Sequence, residues 1–133
     1  MKKDIPIYKV EDVAVAIIPE EGDTPEFWEV YLVNLKEHAI DNILVNSTGY
    51  GQVDGENVKT TTLRYFYEHI PATSCVKIEI LQHKLRKLAN EYWISFWLNG
   101  HMYDKKYIFV QGSLDSTNFT EIPILNRDGV MIM

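Results

Sequence analysis

Runs of apolar residues a few positions long, parted by turn-forming residues, recur along the whole chain. Val13-Ala14-Val15-Ala16-Ile17-Ile18 is apolar without a break and stops at Pro19, and Glu20-Glu21-Gly22-Asp23-Thr24-Pro25 behind it has the composition of a loop. Phe27-Trp28-Glu29-Val30-Tyr31-Leu32-Val33-Asn34-Leu35 is apolar at nearly every position, which predicts a central strand or one covered on both faces. A third strand is expected over 40–47. Gly49, Gly51 and Asp54-Gly55 then mark turns or bulges before the aromatic run Leu63-Arg64-Tyr65-Phe66-Tyr67-Glu68-His69. Strict alternation in Val76-Lys77-Ile78-Glu79-Ile80 predicts a half-buried strand, with the three apolar side chains inward and both charges in solvent. Two longer strands over 91–98 and 106–111 are joined through 99–104, a connector that reads as a hairpin turn with its glycine supplying a positive φ, and a short last strand is expected over 120–125.

Only 82–90 resembles a helix, because Leu85 and Leu88 stand three apart among polar residues. It lacks the caps and length of a stable helix, so a loop or a strand extension fits it equally well. Seven to eight strands with hardly a helix predict an all-β fold. Two packed antiparallel sheets, an immunoglobulin-like or similar β-sandwich, bury both inward faces most simply, and a small barrel of the oligonucleotide-binding type is the alternative. The 133 residues leave room for one domain, 1–133.

Composition narrows the setting. Apolar residues make up 46% and charged residues 24%, a balance that supports a packed core. The longest apolar run falls far short of the roughly 20 residues of a membrane helix, so no membrane partner is expected. Asp4, Pro6, Lys9, Glu11 and Asp12 interrupt any signal-peptide core, and Cys75 is the one cysteine. Both point to a cytoplasmic address. The net charge of −6 is carried by the first half: residues 1–60 hold five Lys and twelve Asp/Glu, against eight Lys/Arg and seven Asp/Glu over 61–133. Such a field repels phosphate backbones, so a nucleic-acid partner would need a local basic patch.

One such patch exists. His83, Lys84, Arg86 and Lys87 stand next to Tyr92, Trp93, Phe96 and Trp97, offering phosphate contact plus base stacking; Lys84, Arg86, Lys87, Trp93 and Trp97 are the candidate nucleic-acid residues. Alternation along a strand sends half of those aromatics into the core, and an exposed basic loop is the plainer reading. Gly49-Tyr50-Gly51 fails the dinucleotide-binding pattern, since Asp54 stands where its third glycine belongs. His38, His69, His83 and His101 show no i, i+2 or i, i+4 pairing for a metal, which leaves a spatial meeting of His69 and His101. Cys75 reads as a small, partly buried side chain, Ser113 lacks the second glycine of a nucleophile elbow, and Glu20-Glu21 falls in the loop. No cofactor or metal is implied. The apolar ends, Ile5, Ile7 and Val10 before the first strand and Val130-Met131-Ile132-Met133 at the last, are expected to dock on the domain or on an open edge of a second copy.

Trp28-Glu29-Val30-Tyr31-Leu32-Val33-Asn34, with Thr62-Leu63-Arg64-Tyr65 and Ile70-Pro71-Ala72-Thr73, resembles a group of short uncharacterised bacterial proteins, some of them labelled phenylalanyl-tRNA synthetase alpha subunit. The same pieces, spanning about residues 27–80, resemble the β-sandwich module that precedes a small MutS-related (Smr) nuclease domain in longer proteins. A synthetase would need a large sheet with flanking helices and arginines gripping ATP, whereas Arg64, Arg86 and Arg127 sit in no such motif, so no catalytic residue carries over. The Smr likeness implies an accessory sandwich without the nuclease half. These features together favour a non-catalytic β-sandwich that binds another protein or itself, with a nucleic-acid accessory domain as the alternative and an enzyme built on His69, Cys75 or His101 behind both.

Overall fold

The unbroken apolar run near the start folds as β1 (Val13–Pro19), and its place in the sheet explains why neither of its faces is polar. Val13, Val15 and Ile17 point into the main core, while Ala14, Ala16 and Ile18 point outward yet stay buried in a second, smaller apolar layer with Val33 and Ile122. The computed structural model describes residues 8–22 and 25–133, so the expectation for Ile5 and Ile7 lies outside the described residues.

β1 is the middle strand of the first sheet. On one side it pairs with β2 (Phe27–Asn34), which pairs in turn with β6 (Ser74–Gln82); on the other it pairs with β10 (Arg127–Ile132) and then β9 (Thr120–Ile122). The second sheet is organised around β3 (Ile40–Val53). Along one side of β3 run β5 (Leu63–Ile70) and β4 (Glu56–Lys59), one after the other, and along its other side run β7 (Ala89–Leu98) and then β8 (His101–Phe109). All pairings are antiparallel, and the two five-stranded sheets pack as a β-sandwich, not a closed barrel.

Between the sheets lie Val30, Leu32, Ile43, Val45, Tyr92, Ile94, Phe96, Tyr107 and Phe109, each 0–1% exposed. Tyr107 ties the layers directly, its hydroxyl donating to the carbonyl of Val13 at 2.7 Å. Asn34, fully buried at the end of β2, donates through Nδ2 to the carbonyls of His38 and Pro71 at 3.0 Å each and accepts from the Lys36 amide. A buried amide with its groups satisfied costs little, and this one joins the 27–34 and 70–73 segments.

The described residues form ten strands where seven to eight are expected. β3 continues through Gly49 and Gly51 to Val53, so the turn falls at Asp54-Gly55, where both φ angles are positive, and β4 follows. The 99–104 connector shrinks to Asn99-Gly100, a two-residue hairpin turn with φ of 53° and 76°, and His101 to Asp104 already belong to β8. The apolar C-terminal residues are not a loose end: β10 is inserted between β1 and β9. Val10 also joins the core. The 82–90 segment is neither loop nor α-helix throughout, since His83–Lys87 forms a 3₁₀ turn that carries the chain from the first sheet to the second.

The most consequential departure is in β6. Val30 pairs with Glu79 and Tyr31 with Lys77, so Ile78 is an extra residue in a β-bulge. Past that bulge the inside–outside order inverts: Glu79 turns toward the core beside Val30, and Ile80 turns out beside Glu29, 58% exposed. The expectation that Glu79 is solvated and Ile80 buried is therefore reversed, because a bulge re-aims the side chain that follows it.

Candidate functional site

Direct cross-strand pairs share a face, so the outer surface of the second sheet can be read row by row. Across β5, β3, β7 and β8 the rows run His69, Asp41, Trp97, Met102; then Phe66, Leu44, Ser95, Asp104; then Arg64, Asn46, Trp93, Lys106. Phe66 is 59% exposed, Met102 54%, Trp93 44%, Trp97 43% and Leu44 39%. Alternation sends Tyr92, Ile94 and Phe96 inward and leaves the tryptophans outside. Charges of both signs are interspersed: His69 Nδ1 is 2.6 Å from Asp41 Oδ1, Trp93 Nε1 donates to Asp104, and Lys106 Nζ stands 4.8 Å from the centroid of the Trp93 ring. Asn46, in the middle of the face, has its Oδ1 enclosed without a hydrogen-bond partner among the described residues.

The candidate nucleic-acid residues divide into two groups. Trp93 and Trp97 stand on this outer face. Lys84, Arg86 and Lys87 lie in the 3₁₀ turn, and Lys87 precedes Trp93 by six residues, roughly 20 Å of extended chain. Arg86 is engaged elsewhere: its guanidinium lies 5.9 Å from the Trp28 ring centroid and donates to the carbonyl of Leu114 at 3.2 Å, with Nε donating to His83. The exposed Lys84 and Lys87 and the tryptophans thus do not form one patch with Arg86.

The histidines and Cys75 do not converge. His69 belongs to the outer face on β5, whereas His101 is three strands away on β8, against the Tyr8 ring at a centroid distance of 4.5 Å. Three strand spacings are roughly 14 Å. Cys75 sits half-buried in the outer apolar layer of the first sheet, where burial raises its thiol pKa. Among the described residues no group of three His, Cys, Asp or Glu side chains is placed to hold a metal ion.

A second constellation, unforeseen from the sequence, surrounds the re-aimed Glu79. Its Oε1 accepts from the Tyr65 hydroxyl at 2.8 Å, and its Oε2 accepts from Ser47 at 2.9 Å and from Tyr92 at 2.8 Å. Burial pushes the Tyr65 and Tyr92 phenols far above their ordinary value, and the adjoining carboxylate adds to the shift, so both remain donors at neutral pH. These four residues come from β3, β5, β6 and β7. Beside them, where β5 and β6 approach at the seam of the two sheets, opens a cavity of about 220 Å³.

On the outside of the first sheet, Glu29 accepts from Arg127 Nη1 at 3.2 Å and from the Tyr31 hydroxyl at 3.0 Å, with Lys77 Nζ 3.3 Å away. This network fastens β2 to β6 and β10. Compared with known proteins, the chain matches no family model, no curated protein and no solved structure.

Proposed function

We propose that the protein is a non-catalytic interaction module that associates with a second copy of itself through the outer face of its second sheet. The observation that carries this is the exposed group Leu44, Phe66, Trp93, Trp97 and Met102 on one face of the sheet. Trp, Phe, Met and Arg are the residue types enriched in protein interfaces, and an apolar centre with a polar rim is their usual anatomy. Edges β8 and β9 suit pairing less well. β9 has three residues, and edge strand β8 carries Asp104, Lys105 and Lys106, the kind of charge that discourages strand addition.

A second copy is the occupant that the charges favour. Arg64 and Lys106 are set among Asp41, Glu91 and Asp104, so the face has no dominant sign and complements itself. A strongly acidic or basic partner finds no matching field there. Four strands and the span of β7 from Glu91 to Trp97 give a footprint of roughly 19 by 20 Å, about 400 Å² before side-chain relief, which suits a small isologous interface well under the usual figure of about 800 Å² per partner.

Sedimentation velocity over a concentration series tests the proposal. The wild-type protein is expected to be dimeric at micromolar concentration, and Phe66→Glu and Trp97→Glu are each expected to be monomeric with an unchanged circular dichroism spectrum, since both side chains are exposed. A wild-type protein that stays monomeric, or variants that dimerise as it does, overturns the reading.

A further inference from the structure

The seam cavity is lined by Ser47, Leu63, Glu79, Leu81, Leu85 and Asn90, among others, and its side-chain donors are almost all in use. The Ser47 hydroxyl donates to Glu79, and the Thr60 hydroxyl donates to the carbonyl of Thr61 at 3.1 Å. Asn90 Nδ2 donates to the carbonyls of Leu85 and Leu88, both at 3.1 Å, which uses both of its hydrogens. The Gly49 amide is held by Thr60 Oγ1 at 2.8 Å, and the Tyr65 and Tyr92 hydroxyls are directed at Glu79.

Acceptors are what remain. A carboxylate offers about four lone-pair sites, and three hydroxyls meet Glu79. Asn90, only 4% exposed, has no hydrogen bond to its Oδ1 among the described residues. No Lys or Arg lines the cavity, and Glu79 makes no ion pair among the described residues. The rest of the wall is hydrocarbon, from Leu63, Ile80, Leu81 and Leu85. Gly49 helps to keep the floor clear, since a Cβ there would meet Thr60 Cγ2 at 3.2 Å and stand 3.5 Å from Asn90 Oδ1.

A recess with one negative charge, spare acceptors and apolar walls selects a molecule that brings N–H donors, a positive charge and a short hydrocarbon body. We propose that the seam cavity is a binding site for a small organic cation of the alkylammonium class, its ammonium group on Glu79 and Asn90 Oδ1 and its chain against the leucines. An anion is repelled by Glu79. A bare metal ion finds only one carboxylate. The site is separate from the outer face of the second sheet and stands whether or not that face forms a dimer.

The test is a titration of ¹⁵N-labelled protein with n-butylammonium chloride, followed by amide chemical shifts, with 1-butanol and sodium butyrate as neutral and anionic controls at matched ionic strength. The expected result is saturable shifts at Gly49, Leu85 and Asn90 with a dissociation constant in the millimolar range, as suits so small a probe. Glu79→Gln is expected to weaken binding by roughly tenfold or more. Leu63→Lys, at a rim position opposite Ser47 that is exposed enough to spare the fold, is expected to abolish it by placing a tethered ammonium at the mouth. Saturation by 1-butanol with equal affinity, the absence of a saturable shift up to about 100 mM cation, or wild-type binding by the Leu63→Lys variant overturns the proposal.

Discussion

Val30→Asp tests the core and the bulge together. Val30 is fully buried at the centre of the first sheet, opposite Ile17 on β1 and opposite Glu79 on β6. Removing the valine side chain gives up about 1.5–3 kcal/mol of burial. The carboxylate that replaces it has no basic side chain facing it, and a buried, unpaired charge costs several kcal/mol more. The register then adds a like charge directly across the β2–β6 pair. The total is on the order of 5 kcal/mol or more, against about 5–15 kcal/mol for a whole domain, so the variant is expected to be largely unfolded. Val30→Ala, which creates only a small cavity, is expected to cost about 2 kcal/mol and to stay folded. Val30→Asp combined with Glu79→Gln is expected to be more stable than Val30→Asp alone, because the opposed charge is gone. Urea denaturation followed by tryptophan fluorescence reads all three, since Trp28 is 5% exposed and dominates the emission change while Trp93 and Trp97 are already near half-exposed. Cooperative unfolding of Val30→Asp near the wild-type midpoint would refute the placement of this face; equal stability of the single and double variants would refute the inward orientation of Glu79.

Tyr92→Phe removes a fully buried donor to Glu79 while leaving the ring in place, and is expected to cost about 1.5–3 kcal/mol in urea denaturation, more than Tyr65→Phe, whose side chain is less enclosed. Equal or negligible losses would show that the carboxylate does not depend on these hydroxyls. Glu29 gives a pH dependence: burial acts to raise its pKa, but hydrogen bonds from Arg127, Tyr31 and Lys77 outweigh it, and the net shift is downward from 4.5. A lowered folded-state pKa contributes stability that is complete above the unfolded value and is lost as pH falls through the folded one, so melting temperatures should drop on the acid side of about pH 4.5 and Glu29→Gln should flatten that part of the curve. An acid limb identical in the variant would remove Glu29 from the account.

Much of the architecture is legible in the residue pattern because β1 has no polar face to hide, because β2 is broken only by Glu29 before Asn34, and because alternation in β7 needs no knowledge of its neighbours. Trp93 and Trp97 are four apart on a strand and so lie on the same side, while Tyr92, Ile94 and Phe96 take the other; that much follows from the period of two. Which side faces solvent is settled only by the partner sheet. Glycine misleads for a related reason. Gly49 and Gly51 look like punctuation, yet they sit inside β3 because Gly49 faces Thr60 and Asn90 and Gly51 lies beneath Gln111, where a Cβ would come within 2.6 Å of that side chain. They mark close packing within a strand, not its end. Strands β4 and β10 were hidden by their content, four exposed residues in the first and a mixed Arg127-Asp128-Gly129 start in the second.

The Glu79 constellation was illegible for a deeper reason. Val76-Lys77-Ile78-Glu79-Ile80 is a faultless alternating strand, and the rule that reads it assumes one residue per partner. The extra residue at Ile78 is set by what lies across the sheet: Trp28 and Val30 on β2 require Leu81 and position 79 to face inward with them, and Lys77 is required outside by Tyr31 and Glu29. Both demands are met only if the strand gains a residue between them. The cost is an inward carboxylate, and the chain offsets it with hydroxyls from positions 47, 65 and 92, each unremarkable in its own strand. Had Glu79 been a structural accident, a leucine there would have packed against Val30 and Tyr92 with no need of three donors. A carboxylate that takes one donor from each of three other strands fastens β6 to β3, β5 and β7 at the seam, and the same charge is what the proposed cation meets in the adjoining cavity.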